Sequence, residues 1–144
     1  MFKVVTTFDE LLKAFMVRAI VFIDEQNVAY AEEVDEHEHA SLHILGEQDG
    51  EPIAAGRIRF LGEYAKLERI CVRRPWRGKQ LGQQLVRFMM ATAQERGFVQ
   101  FKMHAQSHLT GFYGQFGFQV IGDLFYEANI PHYLMVKPGG RERE

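Results

Sequence analysis

The chain predicts a single α/β domain built on one mixed sheet, and three observations carry that prediction. A strand-like run, Leu67 to Val72, passes through a short basic loop into an amphipathic helix that starts near Gly82. A second apolar run, Phe98 to His104, follows that helix, and a strand reached through a crossover helix lies parallel to the one before it. Asp49-Gly50, between two further strand-like runs, signals a hairpin and so an antiparallel part of the sheet. With 144 residues, 47% of them hydrophobic, the chain can bury one full core and is too short for two ordinary domains.

Taken in order, Phe2 to Thr6 alternates as a first strand, and Thr7-x-x-Glu10 reads as a capping box. Phe8, Leu11, Leu12, Phe15, Met16 and Ala19 then recur at helical spacing, which predicts a helix burying that stripe. From Asp24 to Glu38 the chain is polar and acidic without clean periodicity, so a long loop with a short helix is expected there. Ser41 to Gly46 and Pro52 to Phe60 are the hairpin strands, and a second short turn at Gly62 leads into Ala65 to Val72. Leu81, Leu85, Phe88, Met89, Thr92 and Ala93 form the core face of the crossover helix, which Gly97 ends. A short helix carrying Phe112 and Tyr113 follows the parallel strand. Phe118 to Tyr126 and Tyr133 to Lys137 read as a closing antiparallel pair. The domain is expected to span 1–137, with 138–144 a frayed tail.

A formal net charge of -2 provides no field for nucleic acid. One cysteine, Cys71, excludes an internal disulfide and Cys-rich zinc motifs. Asp9, Glu10, Lys13 and Arg18 interrupt any secretory or membrane-spanning apolar run, so a soluble cytoplasmic protein with neither nucleic-acid nor membrane partners is expected. His37, Glu38, His39 and His43 are a candidate metal cluster by type. They run from an acidic loop into a strand and need not converge, so no metal is expected.

The chemistry concentrates in Arg73-Arg74-Pro75-Trp76-Arg77-Gly78-Lys79-Gln80-Leu81-Gly82. A loop between a strand and a helix N-terminus turns successive backbone N–H groups toward one spot, and the surrounding arginines and Lys79 add positive charge. That is an anion site, best suited to phosphates. No glycine stands five residues before Gly78, no Ser or Thr follows Lys79, and Gly-x-Gly-x-x-Gly is absent, which disfavours nucleotide triphosphatases and dinucleotide enzymes.

Arg77-Gly78-Lys79-Gln80-Leu81-Gly82 resembles the acetyl-CoA pyrophosphate loop of the GNAT superfamily of N-acetyltransferases, with Gln80 in place of the middle glycine. Phe112-Tyr113-Gly114-Gln115-Phe116-Gly117-Phe118 looks like the family's Phe-Tyr-x-x-x-Gly-Phe signature. Val21 to Gln26, Glu68 to Val72, His104-Ala105-Gln106 and Ile130-Pro131-His132 are similar to the small bacterial ElaA/YjcF-like branch. Gln80 fits if its backbone is ordinary helical and its side chain points outward.

The resemblance implies the acyl-CoA N-acyltransferase fold, with the sheet splayed between its fourth and fifth strands so that the pantetheine arm of acetyl-CoA inserts there. Backbone groups around Ile70, Cys71 and Val72 would bond the pantetheine amides, and Arg77, Gly78, Lys79, Gln80, Leu81 and Gly82 the pyrophosphate. Tyr113 would protonate or hydrogen-bond the departing thiolate, and Gln106 stands where many members carry a cofactor-contacting Asn. A phenol of pKa roughly 10 stays protonated at neutral pH and can serve a thiolate of roughly 8.5. Glu68 is the leading base, its alternative being an ion pair with Arg69, Arg57 or Arg59. His104 is the second candidate, since its ordinary pKa suits base work near neutrality.

The implied activity is transfer of acetyl to a primary amine, a small molecule or a peptide, by direct attack in a ternary complex, with no metal. The alternative is a non-catalytic acyl-CoA-binding module. Dimers are frequent in the family, so a homodimer is allowed. The acidic run Glu32, Glu33, Asp35, Glu36 and Glu38 is expected as a solvated loop face that, with Glu25, would favour a cationic acceptor if it lay beside the thioester.

Overall fold

The computed structural model describes Met1–Gly139. The chain runs through β1 (Phe2–Val4), α1 (Phe8–Arg18), α2 (Tyr30–Glu33), β2 (Leu42–Gln48), β3 (Glu51–Leu61) and β4 (Tyr64–Val72). It continues as α3 (Leu81–Glu95), β5 (Gln100–Gln106), α4 (Thr110–Gly114), β6 (Gln119–Glu127) and β7 (Ile130–Lys137). Of the expected tail, Pro138 and Gly139 have no regular structure, and 140–144 lie outside the described residues.

The strands form one seven-stranded sheet in the order β1-β2-β3-β4-β5-β7-β6. Turn chemistry sets its antiparallel pairs. Asp49 and Gly50, at φ 53° and 82°, close β2 onto β3 with Gln48 opposite Glu51. Ala128 and Asn129, at φ 52° and 63°, do the same for β6 and β7. Two consecutive positive-φ residues give the hairpin turn whose twist matches the flanking strands.

The parallel pair β4–β5 holds over three rungs only: Tyr64 with Gln100, Ala65 with Phe101, and Lys66 with Lys102. Beyond Lys66 the strands part, and β5 pairs on its other side with β7 as far as Gln106 and His132. A bulge bends β4 just past the fork. Ala55 faces Cys71 and Arg57 faces Glu68, so Arg69 and Ile70 together oppose Gly56. The extra residue needs a left-handed backbone, and Arg69 supplies it at φ 57°.

α3 covers one sheet face, where Leu85, Val86 and Met89 pack with Leu67, Phe101 and Met103. Full burial of one such side chain contributes roughly 1.5–3 kcal/mol. A Cβ on Gly56 would come within 2.6 Å of Met89 Sδ, so the helix lies this close only over a glycine. α1 covers the other face, through Ala14, Val17, Leu45, Ala55 and Cys71. Its capping box forms as expected, with Glu10 N–H donating to Thr7 Oγ1 at 3.1 Å and Thr7 N–H to Glu10 Oε1 at 3.3 Å.

The buried face of α1 differs from the expected stripe. Phe8, Leu12 and Met16 are exposed, and Ala14, Val17 and Arg18 are buried. Small residues let the helix sit close to the sheet, and Arg18 enters the interior because carboxylates meet it there. The segment expected as a loop also begins as helix: Ala19–Glu25 extends α1 with wider turns, and Gln26 N–H donates to the Val21 carbonyl five residues back.

Candidate active site

The fork between β4 and β5 opens into a cleft of about 400 Å³, lined among others by Glu68, Ile70, His104, Gln106, Tyr113 and Glu127. Five of the sequence-predicted residues therefore converge: Glu68 and Ile70 from β4, His104 and Gln106 from β5, and Tyr113 from α4. Cys71 and Val72 continue β4 past the cleft toward the basic loop, and residues 77–82 lie beyond its end. Cys71 is buried, and that burial pushes its thiol up to about 12, so it is no nucleophile.

In the loop, Gly78 has φ 79° and Gln80 has φ 63° and ψ 18°. The backbone of Gln80 is left-handed rather than helical, which corrects the expectation. The position calls for glycine's conformational freedom, and a residue with a Cβ pays about 1 kcal/mol there. No side chain caps the amino end of α3, so its first N–H groups stay open to an anion. The Arg77 guanidinium points back instead: Nε donates to the Val72 carbonyl at 2.8 Å and Nη2 to Glu25 Oε1 at 2.6 Å. Arg77 ties the loop to the end of β4, and Glu25 is engaged by this loop rather than held out for an acceptor.

Glu68 is ringed by cations. Arg57 Nη2 lies 2.6 Å from it, Arg59 Nε 2.9 Å, and Lys66 Nζ 3.0 Å. Burial alone would raise this carboxyl, but the Arg59 hydrogen bonds and the charges of Arg57 and Lys66 overcome it and bring the pKa down to about 2. The geometry is that of the ion-pair alternative, with Arg57 and Arg59 as partners.

The acidic run is not a solvated face. Glu33 and Glu38 meet the buried Arg18, each at 2.7 Å, and Asp35 meets Arg57 at 2.8 Å. Arg69, at the bulge, donates from Nε and Nη2 to the Glu33 carbonyl at 3.1 and 3.0 Å. Buried arginines thus pin the loop over one rim of the cleft and neutralise most of its charge; Glu32 and Glu36 remain exposed.

Tyr113 is almost wholly buried, and burial pushes its phenol well above the ordinary value, so it is a proton donor at any physiological pH. Gln106 Nε2 donates to Gln26 Oε1 at 2.8 Å, joining β5 to the end of the extended first helix. His104 Nδ1 lies 2.9 Å from Glu127 Oε2. A carboxylate only accepts, so in the neutral ring Nδ1 carries the proton and Nε2 is left with a lone pair. The hydrogen bond from His104 leads the causes that lower the Glu127 pKa. Glu127 escaped the sequence reading because its partner is 23 residues away and nothing in its own strand marks it. His132 also lines the cleft, with Nδ1 held on the Ile130 carbonyl at 2.7 Å and Nε2 3.9 Å from Glu127.

His43 is buried away from His37 and His39; its Nε2 sits 2.8 Å from the Glu38 carbonyl, and burial lowers its pKa. Among the described residues, no group of three or more His, Cys, Asp or Glu is placed to hold a metal ion.

A forked β4–β5 pair, a bulge at the fork and an uncapped helix N-terminus beyond it are the arrangement that the resemblance to the acyl-CoA N-acyltransferase fold implies. The chain matches the Acetyltransferase (GNAT) domain family over residues 14–138 and belongs to that family. It is similar to YyaT of Bacillus subtilis, 39% identical over 138 residues that cover 94% of this chain and 93% of that protein. The N-acetyltransferase YjcF of the same organism is also 39% identical, over 130 residues, 90% of this chain and 93% of YjcF. The crystal structure of Escherichia coli ElaA superposes with a TM-score of 0.85 at 26% identity, covering 95% of this chain and 98% of ElaA. The chain is thus a small bacterial-type GNAT N-acetyltransferase of the ElaA/YjcF kind. No helix among the described residues is long and apolar enough to cross a membrane.

Proposed function

We propose that this protein transfers acetyl from acetyl-CoA to a primary amine by direct attack within a ternary complex, in the cytoplasm. The observation that carries the reading is the fork. Past Lys66, β4 offers backbone groups of Leu67 to Val72 that no neighbouring strand takes on the cleft side, and they lead straight to the open amino end of α3. An extended arm ending in a pyrophosphate fits that track: its amides would pair with β4 around Ile70, Cys71 and Val72, and its phosphates would meet the N–H groups of Gly78 to Gly82 and the Lys79 ammonium. The acetyl thioester supplies the electrophile.

His104 is the base in this proposal. An acceptor amine of pKa roughly 10.4 arrives protonated. His104 Nε2 takes that proton while Glu127 holds the Nδ1 proton and the ring's orientation, and the nitrogen forms its bond to the acyl carbon as the bond to sulfur breaks. Tyr113 gives a hydrogen bond or proton to the departing sulfur, and the second proton, which the nitrogen sheds as the amide forms, goes to the thiolate or restores the phenol. Glu68, held near pKa 2 by its cations, is a poor proton acceptor and acts instead as the hub of the ion-pair network. Positioning amine and thioester together accounts for most of the expected rate gain, with each proton transfer adding about 100-fold.

The test is release of free CoA thiol from acetyl-CoA across a panel of amines, beside the melting temperature at millimolar acetyl-CoA. A ligand that binds only the native state raises that temperature. Stabilisation without thiol release would leave a non-catalytic acyl-CoA-binding module; the absence of both effects would overturn the reading.

A further inference from the structure

On the sheet face that floors the cleft, Arg59 and Lys66 share a single carboxylate, Glu68. Arg59 Nε and Nη2 bond Glu68 at 2.9 and 3.0 Å, and Lys66 Nζ lies 3.0 Å from the same carboxylate. Arg57 shares Glu68 and is met by Asp35 and Glu38 as well, at 2.8 and 2.9 Å. Arg59 and Lys66 have no second carboxylate within ion-pair distance among the described residues. Their side chains are only 17% and 11% exposed, so water screens the surplus charge weakly.

Donors remain as well as charge. Glu68 occupies Nε and Nη2 of Arg59, which leaves Nη1, and an ammonium carries three N–H groups of which Glu68 takes one from Lys66. Both side chains line the cleft. On the other half of the sheet the sign reverses, because Glu127 stands there with His104 and His132 as its neighbours. The cleft therefore has a positive wall on β3 and β4 and a carboxylate wall around the base.

We propose that the acceptor is an amino-acid-like zwitterion, its ammonium drawn to the Glu127 and His104 wall and its carboxylate held by Arg59 and Lys66. This rests on the acyl-transfer reading above and names the class of amine. It departs from the cationic acceptor that the acidic loop suggested, since Glu33, Asp35 and Glu38 are engaged by Arg18, Arg57 and Arg69, and of the run's exposed carboxylates only Glu32 lines the cleft. A polyamine would bring a second ammonium against Arg59 and Lys66, where like charges repel in a weakly screened site.

Calorimetric titration of the full chain saturated with CoA decides it, using matched pairs that differ by a carboxylate: L-phenylalanine against phenethylamine, L-leucine against isoamylamine, and L-lysine against cadaverine. Charge-assisted hydrogen bonds to the carboxylate should make at least one acid bind about 10- to 100-fold tighter than its amine. Lys66→Gln, alone or with Arg59→Gln, should abolish that preference while the affinity for the amine holds or improves. Equal or weaker binding of the acid in every pair overturns the proposal, as does a preference that survives in the variants. The parent series stands by itself if the variants fail to fold. Thiol release from acetyl-CoA is read in parallel: a zwitterion that binds with preference but draws no acetyl transfer with any amine sinks the acyl-transfer reading and leaves the charge-matched site standing.

Discussion

Replacing Glu68 by glutamine should destabilise the fold before it does anything to the chemistry. The carboxyl sits at about 2 in the folded chain against an ordinary 4.5, and each unit of depression corresponds to about 1.4 kcal/mol of preference for the charged form in the native state. The contribution at neutral pH is therefore about 3 kcal/mol, the low end of what breaking a buried ion pair costs, and the Glu68 side chain is only 9% exposed. For 144 residues, an unfolding entropy of about 0.3 kcal/mol per degree turns this into a fall in melting temperature of about 10 °C. Because the folded pKa is depressed, the stabilisation is fully present above the unfolded value near 4.5 and is lost as pH falls toward 2. Thermal melts of parent and variant at pH 7, 5, 4 and 3 should show the gap at the first two and a narrowing below. A gap of less than about 2 °C at pH 7, or one that stays constant down to pH 3, would refute the reasoning. A variant of unchanged stability that has lost turnover most below the amine's own pKa would return the base role to Glu68.

Tyr113→Phe removes one hydroxyl and almost no volume, so steady-state assays should find turnover down at least ~10-fold with the melting temperature and acetyl-CoA affinity kept. Gln80→Gly should relieve the left-handed backbone and raise stability by about 0.5–1 kcal/mol in urea unfolding; a loss would mean the Gln80 side chain contributes more than its strain costs. His104→Ala should lower kcat/KM by about 100-fold, and Glu127→Gln should lower it less, because the ring keeps its lone pair but loses its orientation; parental rates in both would remove His104 from the reaction. Arg77→Ala cuts the loop from the Val72 carbonyl and Glu25, and should weaken acetyl-CoA binding by about 1–3 kcal/mol in thermal-shift titrations.

The elements that position the cleft were legible where local chemistry decides the fold: the Asp49-Gly50 turn, the Thr7 and Glu10 capping box, and the strand, basic loop and helix from Leu67 to Glu95. α1 was misread because periodicity reports which face is apolar, whereas burial followed the small residues Ala14 and Val17 and an Arg18 that finds Glu33 and Glu38 only in three dimensions. The acidic run failed for the same reason: its arginine partners stand on α1, β3 and β4. Glu68 was seen with its alternative partners, and only the fold brings Lys66 and two arginines to it together. For Gln80 the sequence suggests an ordinary helical backbone, whereas the turn after Gly78 imposes a left-handed one that no residue type at that position announces. His104 was visible, but the carboxylate that orients it lies on another strand.

Past Lys66, β4 and β5 each present an unsatisfied strand margin to the other, in the middle of a sheet rather than at its rim. Two such margins are a template for each other, and a straight β4 would continue the ladder and seal the cleft. The left-handed Arg69 prevents this by breaking the repeat one residue after Glu68, and its guanidinium, fixed on the Glu33 carbonyl, keeps the kink from relaxing. Straightening the bulge by deleting Arg69 would thus let the two halves of the sheet zip together, and the molecule would gain backbone hydrogen bonds as it lost its room for a thioester. The gap is maintained by a defect in pairing, and those amide hydrogens of Leu67 to Val72 that face the fork rather than β3 should exchange fast in the free protein and slow sharply when acetyl-CoA fills the missing rungs.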